Sequence, residues 1–507
     1  MRAEPKQTHN NMHRFDSSVA EIAPLAWLYI CQPGKESELI HGRDVDVFDE
    51  GFFEGCYSGD WESRNFDQVG QVFGSGMRLR DGFPIFVTPS HTLEALYVYR
   101  DKEKCAISNS LLAIISHFNL VVPYDRHHGA RFTSTCHGID SYESLLIQLP
   151  TASISRVIYD NFSLAQSGAI SKIRKCENLS FQDFVSYKSA LTDTLSRAFQ
   201  NAQEVSRKAR YIPITTVSSG YDSVCCAALA KDLGCNEAIT LSEARKGFGS
   251  CGGNDSGAPI AKSLGMKVTE MGRVDKAENC LHLMMMLATG MGGEDYSLEP
   301  FSHLLPGRVL LTGYSGDTIW SISAQPNAHM AKGDTNGADL QEFRVQLGFI
   351  HVPVPMIAAR KHADIIKVSQ SEEMRPYRIG GDYDRPIPRR IVEEHGVPRS
   401  AFGQSKKATI LLFLADPAGM FSAEIMAEIR RTQAQVCSTF SKRLDFRIRA
   451  VTFPLRHFAY RAARKIAGLR WMQPWIVRDW MTFGPDHPLA GVLFLTAIRI
   501  LRTGRKS

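Results

Sequence analysis

The chain has 507 residues, 44% hydrophobic, 22% charged and 9% aromatic, with enough apolar surface to offset its ordering entropy; disorder and fibrous repeats are excluded as the dominant state. Its net charge is +6, from 59 Lys+Arg against 53 Asp+Glu, so the whole is not a polycation built for nucleic acid. The excess is concentrated: 14 Lys+Arg and 3 Asp+Glu lie between Phe440 and Ser507, a local +11 that leaves the first 439 residues at −5.

The 11 cysteines are odd in number and show no Cys-x-x-Cys spacing, which suggests neither a disulfide framework nor a zinc knuckle. The first 30 residues lack the charged start and apolar run of a secretory leader, and the longest apolar stretch, Pro488–Ile498, is too short to span a bilayer. The expectation is a soluble protein of the reducing cytoplasm.

In chain order, short apolar runs such as Leu25–Cys31, Ile85–Thr88 and Leu96–Tyr99, broken by Gly, Pro, Asp and Asn, predict an antiparallel, β-rich region, with a helix at Leu111–His117. Phe184, Tyr187, Leu191, Leu195 and Phe199 recur at helical spacing and predict a helix from Phe181 to about Ala209, starting near Ser180. From Tyr211 the period changes. Ile212–Val217, Ala238–Leu241, Lys267–Glu270 and Val309–Thr312 read as strands, alternating with helical stretches at Val224–Leu233, Ala258–Leu264 and Cys280–Ala288. That alternation predicts a doubly wound parallel sheet with ligands at the C-terminal ends of its strands. From about Ala408 the pattern is helical and increasingly basic. The expected domains are 1–160, 170–425 and 426–507.

The segment Ile214-Thr-Thr-Val-Ser218-Ser219-Gly220-Tyr221-Asp222-Ser223 runs from a strand through a Ser/Gly turn into a helix. Such a turn aims the first helical N–H groups outward and makes an anion site. Ser218, Ser219 and Ser223 add hydroxyls, Gly220 admits a phosphate close to the backbone, and Asp222 can hold a magnesium ion. The Gly-Lys-Ser/Thr ending of a Walker loop is missing. Ordinary turn and helix-cap chemistry uses the same residues.

The same segment resembles the pyrophosphatase loop, Ser-Gly-Gly-x-Asp-Ser, of the asparagine synthetase family, with Ser219 standing where the first Gly is usual. Further stretches match in the family's order: Thr312-Gly-Tyr314-Ser-Gly-Asp317, Pro376-Tyr377 with Tyr383-Asp384, and Gly396-Val-Pro-Arg399 through Lys406-Lys407. Ser108-Asn-Ser110 is similar to the strand-to-helix turn of the glutamine amidotransferase domain.

The resemblance implies an α/β synthetase domain behind an α+β amidotransferase-like (Ntn-type) domain, with a helical basic tail. It implies ATP and Mg²⁺ as cofactors, Ser218, Ser219, Gly220 and Ser223 around the phosphates, Asp222 and Asp317 on magnesium, and Lys406 or Lys407 on phosphate. The activity implied is C–N ligation through an acyl-adenylate. The partners would be a small-molecule carboxylate and an amine or ammonia.

Two departures refine this. Family members that use glutamine carry their nucleophile as the N-terminal cysteine exposed after Met removal; here position 2 is Arg2 and the nearest cysteine is Cys31, so glutaminase chemistry is not expected. Tyr314 resembles the tyrosine of β-lactam synthetases, where a glutamate-supported phenol helps deprotonate the attacking amine; Glu342 and Glu373 are the candidate partners. A packed loop aromatic is the alternative for Tyr314. The arginines of Tyr383–Arg390 read as partners of loop carbonyls and acidic neighbours rather than as substrate ligands. The basic tail, with Arg443, Arg447, Arg461, Arg464, Lys465 and Arg470 among Phe446, Phe458, Trp471 and Trp475, reads as a solvated face over an apolar core; an acidic partner or a membrane surface are alternatives, and a homodimer is compatible. Two rival readings remain: an RNA-modifying enzyme using the same loop, with nucleic acid ranked below the small-molecule partners, and a non-catalytic nucleotide-binding relative.

Overall fold

Side chains along the strand Trp27–Cys31 alternate between two cores: Trp27 and Tyr29 turn toward Leu39, Phe52 and Phe86, whereas Leu28 turns toward Leu111 and Ile115. In this computed structural model the described residues are 15–19, 22–164, 169–177, 179–247, 250–273, 295–332, 335–381, 383–404, 417–448, 451 and 488–503. The expected helix at Cys280–Ala288 and the Lys406-Lys407 pair lie outside them.

Two sheets form the first half. One has seven strands, in the order Phe15–Val19, Ser37–His41, Trp27–Cys31, Cys105–Ser108, Leu96–Arg100, Ser153–Val157 and Leu145–Gln148, antiparallel except for its first pair. The other has six antiparallel strands, in the order Ile170–Ile173, Asn161–Leu164, Phe83–Val87, Val72–Arg80, Gly51–Tyr57 and Asp46–Phe48. The sheets share an apolar core, and the Trp27 indole N–H donates across it to Ser75 Oγ at 3.1 Å. Helices Leu111–His117 and His128–Thr133 cover the outer face of the first sheet. Helix Phe184–Gln203 docks on strand Gly51–Tyr57, where Asn201 Oδ1 accepts from the Tyr57 N–H at 3.2 Å. This helix starts later than the sequence suggests. Asp183, not Ser180, is the cap, its carboxylate accepting the Ser186 N–H at 2.8 Å, and the helix ends at Gln203 rather than near Ala209.

The second half holds a five-stranded sheet, numbered here within itself: β1 (Ile212–Thr216), β2 (Glu237–Leu241), β3 (Lys267–Met271), β4 (Arg308–Thr312) and β5 (Ile350–Pro353). The order is β3-β2-β1-β4-β5 and every pairing is parallel. Strand order reverses between β1 and β4, which opens a crevice at their C-terminal ends. The sequence pattern placed four of these strands; β5 and the hairpin Glu243–Gly247/Ser250–Asn254 are additions. The protein is thus a mixed α/β structure with one parallel sheet and several antiparallel ones.

Helix Leu340–Leu347, which precedes β5, ties the halves together through three polar side chains. Gln341 makes a two-way bridge with the Ala95 backbone, at 3.0 and 2.6 Å. Glu342 reaches the helix Leu111–His117, and Arg344 pairs with Glu54 and Glu94 at 2.7 Å each in a fully buried cluster. The C-terminal helix Leu489–Thr503 packs beside Ala423–Val436 and returns to the first half, where Phe494 stacks on His128 at 4.0 Å. No helix among the described residues is long and apolar enough to cross a membrane.

Candidate functional site

A cleft of about 290 Å³ opens at the C-terminal ends of β1, β2 and β4. Ser218, Gly220, Asp222 and Ser223 form one wall, Tyr314, Ser315 and Asp317 another. The two loops leave adjacent strands at the order reversal and interlock, the glycines of the second lying against Asp222 of the first. A Cβ on Gly313 would lie 2.7 Å from the backbone carbonyl carbon of Asp222, and one on Gly316 would lie 2.3 Å from the Asp222 carboxyl carbon. Ser315 takes the left-handed conformation, φ 68°, to bring Gly316 and Asp317 back toward the first loop.

The first loop is held by its own hydroxyls. Ser223 Oγ accepts the Ser218 N–H at 3.0 Å and lies 2.8 Å from Ser218 Oγ, which in turn accepts the Gly220 N–H at 3.2 Å. Helix Asp222–Asp232 follows, and Tyr221 at its N-cap offers no side-chain bond to the first helical N–H groups. The cleft wall therefore ends in the positive end of an 11-residue helix.

Ser219 has protein partners of its own. It is not on the cleft wall: its hydroxyl donates to Asp255 Oδ1 at 2.6 Å and its carbonyl accepts the Gly403 N–H at 2.8 Å. The serine hydroxyl ties the loop to Asp255, and the backbone carbonyl, which any residue would offer, holds the 403 segment.

Sequence reasoning missed Asp255, Arg273, Tyr383 and Arg385 as cleft residues. Asp255 sits in Gly252-Gly-Asn-Asp-Ser-Gly257, a turn signature that gave no hint of a site. Arg385 was visible in an arginine-rich stretch, and it does pair with an acidic neighbour as expected; that neighbour is Asp222 itself. Arg390 follows the same expectation with Glu373 and Glu394, at 2.8 and 2.9 Å. Asp384 turns to the backbone, accepting the N–H groups of Ile379 and Gly380 at 3.1 and 2.9 Å. Burial pushes the Tyr383 phenol well above its ordinary value, with Asp222, Asp255 and Asp317 adding to the rise; the same Asp222 and Asp317 help hold Arg385 charged.

Two candidate partners for Tyr314 are corrected. Glu342 caps the helix Leu111–His117, accepting the N–H groups of Leu111 and Leu112 at 2.6 and 3.2 Å and the Ser110 hydroxyl at 2.8 Å. Glu373 accepts the Phe184 N–H at 3.0 Å and the Arg390 guanidinium. Neither lines the cleft. Each carboxylate satisfies a helix N-terminus, a competing use that glutamate spacing does not reveal. Tyr314 instead packs edge-on against His351, 5.8 Å between ring centroids; burial lowers that histidine to about 3, so it is neutral, and it shares a 2.8 Å hydrogen bond with Thr312 Oγ1.

Burial also pushes Glu342 up to about 7 despite its three donors. A folded-state value above the unfolded one stabilises the fold fully below about pH 4.5 and loses that contribution as pH rises through about 7. Glu342→Gln does not titrate. The unfolding free energy from urea titrations should therefore fall for the native chain relative to Glu342→Gln between pH 5 and 8, by on the order of 3 kcal/mol at most. Parallel pH profiles for the two proteins would contradict this assignment.

Among the described residues no three His, Cys, Asp or Glu side chains converge as a metal cage. Asp222 and Asp317 on opposing loops suit magnesium, which takes one or two protein carboxylates and completes its shell with water and phosphate oxygens. The chain matches no family model and no curated protein sequence.

Proposed function

We propose that the chain is an ATP-dependent ligase that activates a carboxylate as an acyl-adenylate, releasing pyrophosphate, for attack by ammonia or an amine. The observation that carries this reading is the convergence of the Ser218–Ser223 loop and the Thr312–Asp317 loop on one cleft at the strand-order reversal. The helix N-terminus at Tyr221 and the hydroxyls of Ser218 and Ser223 would receive the phosphates. Val217, Ile239, Leu241, Leu298 and Phe301 give the cleft an apolar side that suits a purine ring. Magnesium bound to Asp222 and Asp317 would make pyrophosphate a better leaving group. Tyr314 borders the space where the acid and amine would meet, and a Lys406 or Lys407 contact with phosphate completes the proposal from the sequence. An amidotransferase-like first domain, a synthetase domain and a basic helical extension belong to the same reading. So do a small-molecule acid and amine as partners and a cytoplasmic setting.

A second reading has its own support: Arg385 pairs with Asp222, and Asp255 engages Ser219, so two groups expected to serve a ligand already have protein partners. On that basis the cleft would bind nucleotide without turnover.

Carboxylate-dependent exchange of labelled pyrophosphate into ATP separates the two. Exchange elicited by one acid of a panel, and reduced to background by Asp222→Ala and by Asp317→Ala, is the result expected for the ligase. Mg-ATP binding without exchange for any acid favours the binding protein. Absence of Mg-ATP binding would sink both.

A further inference from the structure

We infer that Cys31 and Cys105 form a redox-active dithiol, which closes to a cross-strand disulfide by exchange with a small anionic disulfide. The two residues stand directly opposite each other where strand Trp27–Cys31 pairs antiparallel with Cys105–Ser108. Opposed residues of an antiparallel pair have Cα atoms about 4.5–5.5 Å apart, inside the roughly 4.4–6.8 Å range of a disulfide. Both side chains point to the same face of the sheet, at the edge of the core shared with Tyr29 and Phe86. The pairing therefore meets the distance requirement of a disulfide. In the reduced chain the Cys31 thiol donates to the Cys105 carbonyl at 3.3 Å.

Pairing and charge distinguish these two from the other described cysteines, of which Cys176 is the exposed one. Cys31 and Cys105 line a surface cleft of about 400 Å³, together with four basic residues, Lys35, Arg100, Lys102 and Lys104, against two acids, Asp101 and Glu103. Cys31 is partly exposed. Arg100 is the residue opposite Cys105 on its other flank, so Cys31, Cys105 and Arg100 form one row across three adjacent strands. The acid nearest this row, Asp101, is committed to its own turn, accepting the N–H groups of Glu103 and Lys104 at 2.8 Å each. The neighbouring Cys31 thiol, and then Arg100, hold Cys105 below the ordinary thiol value, while Cys105 is itself buried and Cys31 is the more exposed of the two. Cys225 and Cys226 are the contrast: they are fully buried, and their thiols are pushed well above the ordinary value.

The chemistry balances in two exchange steps. One of the two, as thiolate, attacks one sulfur of the small disulfide and expels one thiolate, giving a mixed disulfide. The other, losing its proton to solvent, attacks the first cysteine's Sγ and expels the second thiolate. The protein gives up two electrons and two protons, and the small disulfide becomes two thiols. The excess of lysine and arginine in the cleft selects a disulfide bearing carboxylates, for which oxidised glutathione is the probe.

The full-length protein is equilibrated in glutathione buffers of increasing oxidised fraction, acid-quenched, alkylated and digested. The expected result is a linked peptide pair carrying Cys31 and Cys105, with loss of two alkylable thiols per chain. In Cys31→Ser and in Cys105→Ser, the remaining thiol of the pair should instead accumulate as a glutathione adduct. Fold is checked by circular dichroism, and the native chain carries the main result if a variant does not fold. Full alkylation of both cysteines at every ratio would overturn the inference. So would glutathione adducts on the native chain without any Cys31–Cys105 link.

Discussion

Replacing Arg344 by Met should destabilise the protein by about 3–5 kcal/mol, because it strands two buried carboxylates. The Arg344 guanidinium contacts Glu54 Oε2 at 2.7 Å and Oε1 at 3.0 Å, and Glu94 Oε2 at 2.7 Å through Nη2 and 3.0 Å through Nε. All three side chains are at most 3% exposed. Water cannot reach them to compensate, and burial, with Glu54 adding to it, already pushes Glu94 up to about 7 against the pull of Arg344. The loss is a large part of the roughly 5–15 kcal/mol that holds a typical domain folded. The triple variant Glu54→Gln/Glu94→Gln/Arg344→Met removes the charges together and should recover most of it. Urea midpoints of the single and triple variants give the comparison, with Arg375→Met as an exposed control. A single variant no less stable than the triple would show that the cluster is not a charge-compensation device.

That cluster also marks where the sequence stops being informative. Local pattern was sufficient for β1, β2 and β4, whose central residues are buried so that each reads as a short apolar run between helices, and for the more exposed edge strand β3. It was sufficient for Leu111–His117, whose bounds coincide with expectation. Strand β5, Ile350-His-Val-Pro353, is short, ends in proline and contains a buried histidine, so its pattern is weak. The pairing of thirteen strands into two facing sheets depends on contacts between residues as distant as Leu96 and Val157, which no local period encodes. The site follows the same division. Ser218, Gly220, Asp222 and Ser223 are contiguous and were legible as one turn, and Asp317 was legible through its matching loop. Asp255 and Arg385 reach the cleft from separate segments, and the helix-capping uses of Glu342 and Glu373 depend on partners more than 180 residues away. A glutamate's spacing to Tyr314 carries no trace of those obligations.

Gly316→Ala should abolish most activity at the cleft while leaving the fold nearly as stable. The added methyl would lie 2.3 Å from Asp222 Cγ, 2.5 Å from its Oδ1 and 2.7 Å from its Cβ. Every clash is with one short side chain, so the carboxylate must swing away from the second loop or the loops must part. Arg385, paired with the same carboxylate, limits where it can go. A displacement of about 1 Å in a positioning group costs roughly 100-fold in rate, which is the loss expected in pyrophosphate exchange. Gly313→Ala presses on the backbone of Asp222 and Ser223, so it should also perturb the helix that follows. Gly272→Ala is the control: no heavy atom lies within 4 Å of its added carbon. Mg-ATP binding by equilibrium dialysis reads the same geometry without requiring the acid substrate. Weakened binding in Gly316→Ala, with the Gly272 variant unchanged, would show that the contact between the two loops sets the site. Native binding in Gly316→Ala would mean that Asp222 does not need its observed position, and the assignment of Asp222 and Asp317 to a shared metal would fall with it.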